Sequence, residues 1–108
     1  MKRKTIYIAD DGTHFDDEIE CMKYDLTNAV EFFVNEGDIS FADEEGNEVT
    51  DPKVVLSGET IYQINIKTDL TLKLVKDLNE WNGYFFDIDS LGVWKYYTDR
   101  REGWYKVG

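Results

Sequence analysis

Cysteine, histidine and proline occur once each in this 108-residue chain, and no apolar run approaches the length of a membrane span. A lone Cys21 excludes an intramolecular disulfide. A lone His14 excludes any site that needs two imidazoles from one chain. Candidate spans need about 18 consecutive apolar residues, and the opening Met-Lys-Arg-Lys does not lead into the apolar stretch of a secretory signal. The expectation is a protein of a reducing cytoplasm with no membrane contact. The sharpest absence is of positive charge. Residues 10–51 hold fifteen carboxylates against the single base Lys23, a net −14, whereas residues 1–9 add +3 and residues 52–108 balance eight acids with eight bases. That one block accounts for the whole formal charge of −11. Charge imbalance governs association and solubility rather than topology, so the polarisation points outward, to a basic partner. It also repels nucleic acid and anionic membranes, which removes both from the expected ligands.

What is present is enough for a core. Hydrophobic residues make up 42% of the chain and aromatics 15%, and a domain of this size buries roughly two-thirds of its unfolded surface. The expectation is one domain over residues 1–108. Residues 4–9 read as a strand, closed by the Asp11-Gly12 turn. Thr13 begins an S/T-x-x-D capping signature, with Asp16, Asp17 and Glu18 in the first turn of a helix. Phe15, Ile19, Met22, Leu26, Ala29, Val30, Phe33 and Val34 fall on one arc of that helix, about six turns long, which Gly37 ends. Residues 39–42 and 48–50 read as a hairpin around the polar loop 43–47, and residues 54–56 as a short apolar piece. Residues 59–67 alternate as a half-buried strand. Thr68-Asp69 opens a second helix with Leu70, Leu74, Leu78 and Trp81 on one stripe, ending at Asn82-Gly83. Strands follow at 84–88, 93–98 and 104–107. The order predicts an α+β domain, two amphipathic helices on a mainly antiparallel sheet.

Little in this pattern is catalytic. His14 with Asp10, Asp11, Asp16 and Asp17 has the residue types of a cation site, but turn-making, capping and dipole compensation, worth ~0.3–1 kcal/mol per first-turn acid, are sufficient cause. Cys21 lies off the apolar arc in an acidic helix, which raises a thiol pKa and keeps it inert. The acidic loop 43–48 lacks the calcium-loop pattern, and Asp87 with Asp89 is a common coincidence. The expectation is no enzyme activity and no cofactor.

The acidic block is harder to explain away. Glu31 and Glu36 sit in the second half of the helix, where the macrodipole disfavours them, and Asp16/Glu20 is a like-charge i,i+4 pair. Seven carboxylates over the expected helix, one per ~4–5 Å, approach the ~3.4 Å phosphate spacing of a DNA strand. Asp17, Glu20, Glu31, Asp43, Glu44, Glu45 and Glu48 are the candidate contacts to a basic, nucleic-acid-binding protein, and solubility alone is the competing explanation. Ten of sixteen aromatics fall in residues 59–108. Trp94 and Tyr96 point opposite to Tyr97, so some rings are expected at the surface as interface anchors. Arg100 and Arg101, at a hairpin tip, are candidates to hold an anion, with a solvated turn the plainer reading.

The opening 6–21, Ile-Tyr-Ile-Ala-Asp-Asp-Gly-Thr-His-Phe-Asp-Asp-Glu-Ile-Glu-Cys, and the closing Gly92-Val-Trp-Lys-Tyr-Tyr97 with Gly103-Trp-Tyr105, resemble small acidic accessory proteins of phages and prophages of Gram-positive bacteria. The resemblance implies action in the bacterial host cytoplasm against a defence protein, as in anti-CRISPR inhibitors of RNA-guided nucleases, whose channels are positively charged and whose arginines read the PAM. It carries over no site residue. With the charge it yields the expected function: a non-enzymatic inhibitor of a host nucleic-acid-handling protein, a type II CRISPR nuclease first among them. The alternative is a binder that sequesters a nucleotide signal through stacked rings and Arg100 or Arg101. Assembly as a homodimer is left open.

Overall fold

Alternating side chains build the larger sheet. In the computed structural model, which describes residues 5–83 and 86–108, β1 (Tyr7–Ile8) pairs with β2 (His14–Phe15) as a small ribbon. Next come α1 (Glu18–Glu36), β3 (Ile39–Ala42), β4 (Glu48–Val49), α2 (Pro52–Ser57), β5 (Gln63–Ile66), α3 (Asp69–Trp81), β6 (Gly92–Tyr97) and β7 (Gly103–Lys106). The five later strands form one antiparallel sheet in the order β4-β3-β5-β6-β7. Register places Phe41 opposite Ile64, and Ile64 opposite Trp94, so one face is apolar across the three inner strands. Ile39, Phe41, Ile64 and Ile66 are at most 1% exposed on that face. Val30 of α1, Val55 of α2, and Leu74, Val75 and Leu78 of α3 join the same core. This is an α+β fold, helices against a mainly antiparallel sheet. No helix among the described residues is long and apolar enough to cross a membrane.

Several expectations are corrected. Thr13 does not cap α1. Its N–H donates to Asp11 Oδ1 (3.0 Å) and its carbonyl accepts from Ala9 N, so 9–13 closes a turn and His14–Phe15 pair with β1. The helix starts later, at Glu18, where Asp17 Oδ1 accepts from Ile19 N (2.9 Å), and its 19 residues make about five turns rather than six. Asp16 therefore lies outside the helix, and Asp16/Glu20 is not an i,i+4 helical pair. The first strand is only Tyr7–Ile8, with Lys4 outside the described residues. Residues 54–56 lie in a third helix, α2, which Asp51 caps, Pro52 begins and Gly58 ends. Residues 59–61 stay out of the sheet; Gln63–Ile66 pair fully, and Tyr62 extends the ladder by backbone hydrogen bonds to Ala42 O and from Tyr96 N (2.9 Å each). Of the strand expected at 84–88, Tyr84 and Phe85 lie outside the described residues. Phe86 and Ile88 are not in a strand, yet both are buried in the core.

The second expected helix is α3. Thr68 Oγ1 accepts from Thr71 N and Thr71 Oγ1 accepts from Thr68 N, a reciprocal cap. Thr71 is fully buried and donates to a backbone carbonyl, Thr68 O (2.8 Å) or Asp38 O (3.3 Å). At the other end of the sheet Gly92 takes φ +125°, with Lys106 Cε 2.8 Å from where a Cβ would sit and the Gly108 carbonyl closer still. Only glycine fits there.

Candidate functional site

Two groups of carboxylates stand out on this frame. The first lies along α1. Glu20 and Glu31, eleven residues apart, project within about 20° of each other around the helix axis and about 16 Å apart along it; both are exposed. Asp17 is exposed too, but one of its oxygens is committed to the helix start. Asp25 is half-buried, its Oδ1 accepting from Asp10 N (3.0 Å). The helix holds five carboxylates in 19 residues, about one per 6 Å, so its match to phosphate spacing is looser than the seven-carboxylate count.

The second group is the β3–β4 tip. Asp43 has a structural task that its place in a polar loop concealed: its Oδ1 accepts from Glu45 N (3.0 Å) and Asn47 N (2.9 Å), fixing the turn. The signal was legible as an aspartate opening a turn with Gly46 and Asn47. Glu44 and Glu45 then stand exposed on a rigid tip, and Glu48, opposite Ala42, lies on the sheet face away from the core. The α1 line and the tip remain separate elements of the surface. Among the described residues none of Glu20, Glu31, Glu44, Glu45 and Glu48 is held by an ion pair or a side-chain hydrogen bond.

Beside the tip runs a polar depression of ≈ 510 Å³ over β5 and β6, lined among others by Tyr62, Lys95, Tyr97 and Asp99. Trp94 and Tyr96 pack against the core while Tyr97 takes the opposite face, edge to face with Tyr105 at 5.7 Å. The Arg100 guanidinium lies 4.1 Å from the Tyr97 ring centre, a cation–π contact, and 3.9 Å from Asp99 Oδ1. Arg101 offers its carbonyl to Tyr105 OH (2.6 Å) and leaves its side chain exposed. Tyr96 OH donates to Glu102 Oε1; that bond, with burial and the Glu102 charge, pushes the phenol up to about 12.

The residues near His14 are tied into the fold. Tyr24 OH donates to Asp11 Oδ2 (2.5 Å), which with the Thr13 bonds holds the Asp11 carboxyl below its ordinary range. Among the described residues no three His, Cys, Asp or Glu side chains converge as metal ligands. Cys21 is buried, although the helical wheel placed it off the apolar arc, because its side of α1 lies beneath the ribbon with Tyr24 and Asp25. Burial, then Asp25, Asp10 and Glu18, push its thiol up, so it stays protonated at neutral pH. No family model matches the chain, and no curated protein or solved structure matches it.

Proposed function

We propose that this protein is a non-enzymatic inhibitor that docks its acidic surface on a basic, nucleic-acid-handling protein of a bacterial host. One observation carries the reading: five glutamates, on α1, on a turn fixed by Asp43 and on the outer sheet face, are exposed and make no ion pair among the described residues. Uncompensated like charge costs the free protein self-repulsion, and a cationic groove relieves that cost on binding. The phage-like ends of the chain extend the reading to a type II RNA-guided nuclease acting in the host cytoplasm, whose basic channel is of the right sign. The test is association with such a nuclease, and with a panel of bacterial nucleases and polymerases, at rising ionic strength. Screening shortens from about 10 Å at 0.1 M to about 3 Å at 1 M salt, so affinity is expected to fall about tenfold or more over that range. A panel with no salt-sensitive complex removes the reading.

Arg100 stacked over Tyr97 and near Tyr105 favours a second reading, nucleotide sequestration. Against it, the adjoining depression brings Asp43, Glu44, Glu45 and Asp99 to one lysine, Lys95, a setting that repels phosphate. Calorimetry with cyclic and linear nucleotides distinguishes the two.

A further inference from the structure

The arc of α1 that sends Leu26, Val30 and Phe33 toward the core continues to Met22 and Ile19, but the core does not. Ile19 is 58% exposed and Met22 45%. Across from them stands Trp81, the last residue of α3, half-buried. Between the ribbon and α3 this leaves an open groove of ≈ 590 Å³, with Ile19, Met22, Leu26 and Trp81 as its apolar lining. Its remaining described lining is Asp10 and Asp25 on one side and Asp77 and Glu80 on the other, without a cation. Past Ile19 and Trp81 a second depression, over Leu56, carries Lys23 and Lys53 beside Glu20, a net +1. The apolar seam therefore runs from a strongly acidic end to a weakly basic one.

We propose that this groove takes a short amphipathic segment of a partner protein, a large apolar side chain set between lysines or arginines. The proposal rests on the reading above for the sign of the partner's charge, and adds an apolar anchor on a face that Glu31 and the β3–β4 tip do not form. Charge complementarity selects this occupant. A second copy of the chain, with the two-fold axis through the groove itself, would bring four carboxylates against four, and shifted along the seam it would offer them only the net +1 of Lys23, Lys53 and Glu20. An anionic lipid surface meets the same repulsion. Exposed Ile19 and Met22 beside the half-buried Trp81 are what a helix-in-groove contact uses for its anchors. The lysines at the far end orient the segment, its cations over the Asp77–Glu80 end.

The test is calorimetry of the full chain with three synthetic peptides of about four helical turns. The first places leucines at i, i+3, i+4 and i+7 among lysines, the second replaces its leucines with serine, and the third replaces its lysines with glutamate. The leucine–lysine peptide is expected to bind about tenfold or more tighter than either of the others. The paired changes Ile19→Ser with Met22→Ser, and Asp77→Lys with Glu80→Lys, should each weaken it by a similar factor. Equal binding of the serine–lysine peptide overturns the groove while leaving the acidic-surface reading standing. Binding indifferent to both paired changes, or no binding of the leucine–lysine peptide, also overturns it. If a variant fails to fold, amide shift mapping on the wild-type chain decides: perturbations centred on residues 19–26 and the Trp81 indole support the groove, and perturbations elsewhere overturn it.

Discussion

The two halves of α1 have the same apolar period and different fates. From Leu26 onward the helix lies on the sheet: Val30 is fully buried, and Leu26, Ala29, Phe33 and Val34 pack on the core. From Glu18 to Asp25 no residue joins that core, although Ile19 and Met22 hold the same azimuth. The N-terminal half is clasped instead from its other side, by the ribbon, through Phe15 on Tyr24 (5.1 Å between ring centres), Asp11 on Tyr24 and Asp10 on Asp25. One half is stabilised by apolar burial in the core, the other by a ring contact and two polar clasps that leave Ile19 and Met22 to water. Periodicity specifies which face of a helix is apolar; the length of its neighbours decides whether that face is covered.

The contrast breaks most visibly on truncation. Phe41→Ala, in the sheet beneath the buried half, should cost about 3–5 kcal/mol, and Met22→Ala about 0.5 kcal/mol or less. Urea titration of both variants measures this; comparable losses would mean that the overhanging half is packed like the rest. Next, Gly92→Ala should cost about 1–3 kcal/mol, because a side chain there is strained by φ and meets the Gly108 carbonyl. Removing the Asp17 cap is smaller: Asp17→Ala should lose ~1 kcal/mol, with the helicity lost confined to the first turn of α1 by backbone chemical shifts.

How much of this could be read beforehand follows the same division. Ile64 and Ile66, Trp94 and Tyr96 alternate over strands long enough to show the period, and Thr68 with the Leu70–Leu74–Leu78–Trp81 stripe marked α3, although Leu70, in its first turn, is 66% exposed and not in the core. The ribbon has two residues per strand and no period to detect. Thr13 also had a plausible cap role that the turn overrode. The six residues of α2 hold too few turns for a stripe, although Asp51, Pro52 and Gly58 were its caps in plain sight. In the acidic surface the charges were legible, and in part which were already committed. The committed Asp17, Asp25 and Asp43 are all aspartates and Glu20, Glu44 and Glu45 all glutamates, so residue type carried part of the signal, the shorter side chain suiting caps and turns. Which backbone N–H each one meets is set only by the fold.

The smallest expected effects separate the regions by pH. Asp11 has its carboxyl lowered when folded, so its contribution is present above its ordinary value of 3.8 and is lost as pH falls through the lower folded value. Tyr24→Phe should flatten that acid limb. Tyr96 has a raised phenol, so its contribution is complete below its ordinary 10.0 and is lost as pH rises through about 12. Tyr96→Phe should flatten the alkaline limb and leave the acid limb alone. Thermal melting across pH reads both, and the assignment fails if either change moves the other limb.

The central claim is that exposed glutamates on a fixed turn exist to meet cations. The most direct measurement is the affinity of the Glu44→Lys/Glu45→Lys double variant for the salt-sensitive partner, taken beside its melting temperature. Glu44 and Glu45 make no side-chain bond among the described residues, and Asp43 keeps the turn. The variant is therefore expected to melt at or slightly above the parent, since self-repulsion falls. Its affinity is expected to drop about tenfold or more, the equivalent of ~1.5–3 kcal/mol for charge-assisted contacts. Unchanged affinity in a folded variant would contradict the account.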